Sequence, residues 1–169
     1  MSDSILVSYA TKYGSTQEVA EAIAATLGEC GLTADLRPAR DVRSLDGYGA
    51  VVLGAPLIMY RWHKDALTFL SRNRKSLADR PVAIFALGPI HDKEEEWQDS
   101  QAQLDKELAK VAWLEPVSLK LFGGKFDPEK LGFIVGKLAG SEPASDIRDW
   151  EAIRSWAQEL AVMFEPVVA

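Results

Sequence analysis

The stretch VSYATKYGST, residues 7–16, changes from apolar residues to small hydroxylated ones. Residues 5–7 have the composition of a buried strand, and Gly14 begins an apolar-periodic segment that we expect to be helical to about residue 29, with Gly31 as its stop. A helix that follows a buried strand in this way presents free backbone N–H groups and the positive end of its dipole at the strand's carboxyl end. The turn is therefore either an ordinary capped helix start or a seat for an anion.

Strand and helix patterns alternate along the rest of the chain. Strands are predicted at 33–38, 50–55, 81–87 and 117–122, and helices at 64–73, 94–111 and 150–163. This alternation implies parallel strands joined by right-handed crossovers, and the nearly continuous apolar strands indicate a sheet that is covered on both faces. We predict a doubly wound, three-layer α/β fold in a single domain over residues 1–169.

The connection between the fifth strand and the last helix is unusually long. Residues 123–149 exceed the usual length of such a loop, so we expect an insertion there, with a short helix at 128–138. Packing within the chain is the simplest role for its apolar residues. A docking surface for a partner, a membrane interface or a second subunit is the alternative.

Composition narrows the functional classes. The chain has 169 residues, 47% hydrophobic and 26% charged, as is typical of a soluble globular protein. Its net charge of -6 argues against nucleic-acid binding and suits a small molecule or a basic protein partner. Cys30 is the one cysteine, and we expect a part-buried, unreactive thiol. With no apolar run of membrane-spanning length, we expect a cytoplasmic protein.

The loop after the first strand offers several groups to an anion. The hydroxyls of Thr11, Ser15 and Thr16 can donate hydrogen bonds, and Gly14 lets the backbone approach a ligand closely. The sequence contains neither G-x-G-x-x-G nor G-x-x-x-x-G-K-[ST], which disfavours dinucleotide and Walker-type nucleotide binding.

This loop resembles the phosphate loop of flavodoxins, T-x-T-G-x-T, which holds the phosphate of FMN. Thr11, Gly14 and Thr16 match that motif, and Tyr13 replaces its middle threonine. The stretch LDGYGAVVLGAP, residues 45–56, is similar to the third flavodoxin strand and the flavin loop that follows it.

The resemblance extends over the whole chain. It is closest to the branch that contains the menaquinone-dependent protoporphyrinogen oxidase, through GAPLIMYRWH at 54–63 and LAGSEPASDIRDWEAI at 138–153. The resemblance implies a flavodoxin-like, five-stranded parallel sheet of order 2-1-3-4-5 and FMN as the cofactor. It also implies that three loops hold the FMN, through Thr11, Lys12, Tyr13, Gly14, Ser15, Thr16, Ala55, Pro56, Leu57, Ile58, Met59, Tyr60, Trp62, Leu87, Gly88, Pro89, Ile90 and Trp97.

Some of these residues have a second interpretation. Tyr60 and Trp62 are both candidates for stacking on the flavin ring, and the sequence does not decide between them. Leu57 and Ile58 could instead pack on neighbouring helices. His63 could relay protons near neutral pH, although a helix-start or solvent-facing histidine is the simpler interpretation. The histidines and the cysteine are too scattered to predict a metal site, and no catalytic residue is identified.

The acidic run HDKEEEWQD, residues 91–99, has two interpretations. The acids either stabilise the first turn of a helix or form a rim around the flavin that attracts a basic redox partner. An acidic rim would repel the propionates of a porphyrinogen, which weakens the transfer of the oxidase activity to this chain.

Three functions remain open. The first is an FMN-binding electron carrier that serves a redox partner protein or a small-molecule acceptor. The second is a dehydrogenase that passes electrons from a porphyrinogen to a quinone. The third is an interaction module that has lost the cofactor, with the Tyr13 ring in the phosphate seat.

Overall fold

A parallel sheet runs through the centre of the chain in the computed structural model, which describes residues 3–130 and 143–168. Its strands are β1 (Ser4–Tyr9), β2 (Ala34–Pro38), β3 (Tyr48–Ile58), β5 (Val82–Leu87) and β6 (Ser118–Phe122). They are hydrogen-bonded in the order β2-β1-β3-β5-β6, and every pair among them is parallel. The predicted 2-1-3-4-5 arrangement of a doubly wound sheet is therefore confirmed.

Helices cover both faces of this sheet. They are α1 (Ser15–Glu29), α2 (Lys64–Arg72), α3 (Arg74–Leu77), α4 (Glu94–Leu108) and α5 (Trp150–Val168), with 3₁₀ turns at Ala39–Asp41, Ala109–Val111 and Pro128–Lys130. One buried cluster joins α1 and α5 to the sheet, and a second joins α2, α3 and α4 to its other face. Successive strand residues alternate between the two clusters, which explains why the strands are apolar throughout.

β3 is longer than predicted. It continues from Ala55 to Ile58 and turns into a short antiparallel strand, β4 (Arg61–Trp62), with Leu57 opposite Trp62. Met59 and Tyr60 form the two-residue turn with φ angles of 52° and 67°. This left-handed backbone is unfavourable for residues with a side chain, by about 1 kcal/mol or more each.

α5 also exceeds its prediction, which ended at residue 163. Phe164 and Val168 are buried and continue the apolar face one turn further, although Pro166 lies inside the helix. The helix predicted at 94–111 ends its α-helical part at Leu108 and finishes in a 3₁₀ turn. Cys30 is exposed, so the expectation of a part-buried thiol was wrong: it lies just past the buried face of α1.

The insertion forms a small antiparallel pair. Strand β7 (Lys125–Phe126) lies against β8 (Ser145–Asp146). Of the helix predicted at 128–138, residues 128–130 form a 3₁₀ turn, and the rest lies outside the described residues. No helix in the described ranges has both the length and the apolar character needed to cross a membrane.

Candidate functional site

A cavity of about 460 Å³ opens at the carboxyl end of the sheet. It lies where the chain leaves β1, β3 and β5, which is where ligands bind in open α/β sheets. Its size is that of a site for a small organic ligand or cofactor. The predicted residues that line it are Lys12, Tyr13, Ser15, Pro56, Leu57, Ile58, Met59, Leu87, Gly88 and Ile90.

The loop at 11–16 has the conformation of a tight turn into a helix. Gly14 is the N-cap of α1 and has a φ of +93°, which glycine adopts without strain. Its N–H donates to Thr11 Oγ1 at 2.8 Å, so this hydroxyl holds the loop closed. An added Cβ at Gly14 would meet no atom within 4 Å, and it is therefore the backbone angle that requires glycine.

Thr16 lies in the first turn of α1 and is fully buried. Within the part of the chain that the structure covers, its Oγ1 has no hydrogen-bond partner. A buried polar group without a partner costs about 1–3 kcal/mol. The first N–H groups of a helix also lack partners within the helix. A ligand that accepts hydrogen bonds at this helix start would satisfy both, so the residues fit a phosphate group.

Two cations of the insertion hold this loop from outside. Lys130 Nζ donates to the carbonyl oxygen of Tyr13 at 3.3 Å, and Arg148 donates to the carbonyl oxygen of Ser15 at 3.2 Å. Nothing in the sequence pointed to these contacts, because the second joins residues 133 positions apart.

Arg148 is held in place by its own neighbours. Its side chain is 3% exposed and makes two hydrogen bonds to Asp146, at 2.9 and 2.8 Å. Glu18 lies 3.5 Å away, and the guanidinium lies 4.7 Å from the centre of the Trp150 ring. The hydrogen bonds from Arg148 lower the pKa of Asp146, although burial opposes them, so the pair is charged at neutral pH.

The insertion also contacts the loop after β5. The Gly124 N–H donates to the Pro89 carbonyl at 2.7 Å, and an added Cβ at Gly124 would lie 3.4 Å from the carbonyl oxygen of Gly88. Gly124, Lys125, Phe126, Asp127 and Lys130 all line the cavity, and none of them was predicted. The insertion therefore forms one wall of the site.

The structure separates the two stacking candidates. Trp62 is 1% exposed, and its indole N–H donates to the carbonyl oxygen of Ala55 at 3.0 Å, so it packs in the core and does not line the cavity. Tyr60 is 79% exposed and Met59 is 86% exposed at the tip of the β3–β4 hairpin. Met59 lines the cavity, and Tyr60 is next to it in the turn.

The remaining predicted residues are not among those that line the cavity. Thr11, Gly14 and Thr16 shape the first loop, and Ala55 is buried in β3. Pro89 accepts the hydrogen bond from Gly124, and the Trp97 indole donates to Asp92 at 3.0 Å.

The acidic run begins α4. Glu94, Glu95 and Glu96 occupy its first turn, which confirms the helix-start interpretation, and no acid of 91–99 lines the cavity. Glu96 accepts from the N–H groups of Ile90 and His91, at 3.2 and 2.9 Å, and lies 2.6 Å from the His91 ring. Burial alone would raise the pKa of Glu96, but these hydrogen bonds outweigh it and lower that pKa.

His63 is the N-cap of α2. Its Nδ1 accepts from the N–H of Asp65 at 3.1 Å, which confirms the helix-start interpretation of this residue. Burial lowers its pKa, and the ring is neutral at pH 7. The described residues contain no group of three or more histidine, cysteine, aspartate or glutamate side chains that could hold a metal ion.

The charged groups that line the cavity are mostly positive. Lys12, Lys125 and Lys130 face one carboxylate, that of Asp127, among the residues that line it. The rest of the lining is largely apolar. The cavity thus suits a ligand with an apolar body and anionic substituents.

Comparisons with known proteins agree with this geometry. A curated relative, the quinone-linked protoporphyrinogen IX dehydrogenase of Escherichia coli strain K12, is 23% identical over 92% of this chain and 93% of its own length. Flavodoxin 1 of Bacillus cereus has a similar fold, with a TM-score of 0.58 at 17% identity over 95% of this chain and 97% of that one.

A larger protein contains the same fold as a part. The rubredoxin oxygen:oxidoreductase of Desulfovibrio gigas superposes with a TM-score of 0.59 at 16% identity, over 98% of this chain but only 37% of that chain. The sequence profile of the flavodoxin domain matches residues 6–136. On that match, the chain belongs to the flavodoxin-domain family.

Proposed function

We propose that this protein binds FMN in the cavity at the carboxyl end of the sheet and carries electrons in the cytoplasm to a redox partner protein or a small-molecule acceptor. Membership of the flavodoxin-domain family implies a flavin, for which FMN is typical. The observation that carries the proposal is the buried, unpartnered hydroxyl of Thr16 at the start of α1, beside a largely apolar cavity. A lone cysteine fits the reducing cytoplasm.

The phosphate of FMN belongs at the loop of residues 11–16. Thr16 Oγ1 and the first N–H groups of α1 donate to it, and Lys12 balances its charge. The orphaned hydroxyl favours this assignment over the cofactor-free module, because filling the seat with the Tyr13 ring would leave Thr16 without a partner.

The ring of the flavin belongs against the apolar loops after β3 and β5. Pro56, Leu57 and Met59 supply one wall, and Leu87 and Ile90 another. We assign the stacking role to Tyr60, because the Trp62 indole is committed to the core. When bound, FMN supplies one- and two-electron chemistry, and these side chains orient it and exclude water.

A riboflavin comparison tests the phosphate seat. Riboflavin lacks the phosphate, so the variant Thr16→Val should weaken FMN binding by about tenfold, the value of one charge-assisted hydrogen bond, and leave riboflavin binding unchanged. Fluorescence titration of the apoprotein with each ligand measures both affinities. Thr26→Val is the matched control, since Thr26 is buried in the same helix and donates to Ala22.

The outcomes of this test are distinct. Equal losses for FMN and riboflavin, or the same loss in Thr26→Val, would place the phosphate elsewhere. A purified protein without flavin absorption that also fails to take up added FMN would leave only the cofactor-free interaction module.

A second candidate is a flavin-dependent dehydrogenase of the protoporphyrinogen type. The match to the E. coli dehydrogenase covers nearly the whole of both chains, and the lysines of the cavity could pair with the propionates of a porphyrinogen. No acid of the 91–99 run lines the cavity, so that run does not oppose this substrate directly.

An anaerobic assay with a porphyrinogen and menaquinone separates the two candidates. A carrier alone shows no turnover. A dehydrogenase does, and Lys125→Gln should raise KM for the porphyrinogen by about tenfold with little change in kcat, because the lost ion pair binds substrate and transition state alike.

A further inference from the structure

A second pocket, of about 140 Å³, lies between the turn that follows β2 and helix α2. Arg40 from the 3₁₀ turn, Arg43 from the loop beyond it and Arg72 from the last turn of α2 all line it. Its floor is firm, because Phe69 is 2% exposed and the Asn73 side chain donates to the carbonyl oxygen of Phe69 at 2.8 Å. Three exposed arginines from two segments of the chain thus line one pocket.

The charges of this pocket are not balanced by the protein. Asp65 is the one carboxylate among the residues that line it, so three guanidinium groups leave two positive charges in excess. The whole chain carries a net charge of -6, which makes this concentration of positive charge a local feature. Like charges around a small pocket repel one another unless an anion lies between them.

Three other arginines of this protein have hydrogen-bond partners. Arg37 binds Asp35 and Tyr48, Arg80 donates to the Tyr48 carbonyl, and Arg148 binds Asp146. In residues 3–130 and 143–168 we find no hydrogen bond or ion pair for Arg40, Arg43 or Arg72. Arg72 lies in the last turn of α2, where its positive charge interacts favourably with the helix dipole. Arg40 and Arg43 lie outside any α-helix and gain no such interaction.

We propose that this pocket binds the phosphate monoester group of a small ligand. A phosphate monoester carries nearly two negative charges at pH 7, which matches the excess, and its three terminal oxygens suit three guanidinium forks. Thr68 and Asn73 also line the pocket and add uncharged polar groups. The volume is too small for a whole cofactor, so the rest of the ligand lies outside.

The direction of the rest of the ligand is suggested by a neighbouring pocket. It measures about 80 Å³, shares Arg40 and Asp65 with the arginine pocket and reaches Thr11 and Gln17. A ligand seated on the arginines would extend along this groove toward the loop at 11–16.

Residue-resolved titration tests the proposal. Backbone amide NMR spectra of the full chain, recorded with one equivalent of FMN and at constant ionic strength in chloride, are followed as inorganic phosphate, glycerol phosphate or acetate is added. Saturable shifts confined to residues 39–43 and 68–73, with the phosphates binding at least about tenfold more tightly than acetate, support the site. Shifts confined to 11–16 would mean that the phosphates bind at the cofactor loop and would overturn this site.

Three variants sharpen the test. Arg43→Gln should weaken glycerol phosphate binding by about tenfold, and Arg43→Lys should restore only part of it, because lysine keeps the charge without the fork. Arg154→Gln removes the same charge from the exposed surface of α5 and should have no effect. Shifts that do not saturate or an equal loss in Arg154→Gln would mean an adventitious ion only, and acetate binding as well as phosphate would overturn the assigned ligand class.

Discussion

The loop at 11–16 and the hairpin tip at 59–60 border the same cavity but are held in opposite ways. The loop is fixed by the hydroxyl of its own Thr11 and, from the rest of the protein, by the two cations of the insertion. The hairpin tip has a backbone conformation that neither Met59 nor Tyr60 favours, and both side chains are exposed.

This difference separates two requirements of a redox cofactor. A phosphate needs donors that are already in place, because any reorganisation reduces the affinity. Under the proposed function, a stacking side chain must meet a flat ring, and burial of the hairpin tip by that ring would offset its backbone strain. We therefore expect substitutions in the loop to act mainly on cofactor binding. Substitutions that relieve the hairpin backbone should increase the stability of the protein and weaken cofactor binding.

The largest effect is expected from Gly14→Asp. A carboxylate close to the phosphate costs several kcal/mol, so the affinity for FMN should fall on the order of a thousandfold. Gly14→Asn is the control, because asparagine tolerates the left-handed backbone and has no charge. Fluorescence titration measures both, and equal binding by the two variants would mean that charge at this position does not matter.

Arg148→Gln should have the next largest effect. It removes one partner of a nearly buried ion pair, and we expect a loss of roughly 2–3 kcal/mol in the free energy of unfolding, measured with urea. The affinity for FMN should also fall by about tenfold, because the Ser15 carbonyl is no longer held. Arg154→Gln, at an exposed position of α5, should change stability by less than about 0.5 kcal/mol.

The double change Met59→Asn and Tyr60→Gly should act in the opposite direction on stability. Asn-Gly is the preferred sequence for a turn with two left-handed residues, so the free energy of unfolding of the apoprotein should rise by about 1–2 kcal/mol. The affinity for FMN should fall by about tenfold as the stacking ring is lost. Tyr60→Phe should keep both properties of the wild type, and unchanged FMN binding in the double variant would exclude Tyr60 from the site.

The smallest effect concerns His63, which follows the hairpin. Its pKa in the folded chain lies below the ordinary 6.5, so the unfolded chain binds the proton more readily and stability falls as the pH drops from 6.5 toward that lowered pKa. His63→Asn keeps a cap acceptor without a titrating ring. The free energy of unfolding of this variant should match that of the wild type within about 0.5 kcal/mol at neutral pH. It should not show the decrease that the wild type shows as the pH falls below 6.5.

The features that could be predicted are those that depend on residues near one another in the sequence. The apolar strands and the helix that begins at Gly14 follow from local patterns, and they were enough for the doubly wound parallel sheet and the position of the first loop, whereas the strand order came from the family resemblance. The hairpin was missed because its turn, Met59-Tyr60, contains none of the residues that usually signal one.

The features that could not be predicted depend on contacts between residues that are far apart in the sequence or that are settled only by packing. Trp62 was a stacking candidate because an aromatic near a flavin loop suggests it, and only its bond to the Ala55 carbonyl reveals its place in the core. The contact between Arg148 and Ser15 leaves no local pattern, and the pairing of Arg148 with Asp146 is the only part of its environment that lies nearby in sequence among the hydrogen bonds described for it.

The cations that hold the first loop, Lys130 and Arg148, both donate hydrogen bonds to main-chain oxygen atoms. Every amino acid has a carbonyl oxygen, so the side chains at positions 13 and 15 can be substituted without the loss of these hydrogen bonds. A Tyr13 in place of the threonine of related loops is thus compatible with an intact architecture. An alignment of side chains would show the motif as lost at position 13, although the hydrogen bonds to the main chain of the loop are present.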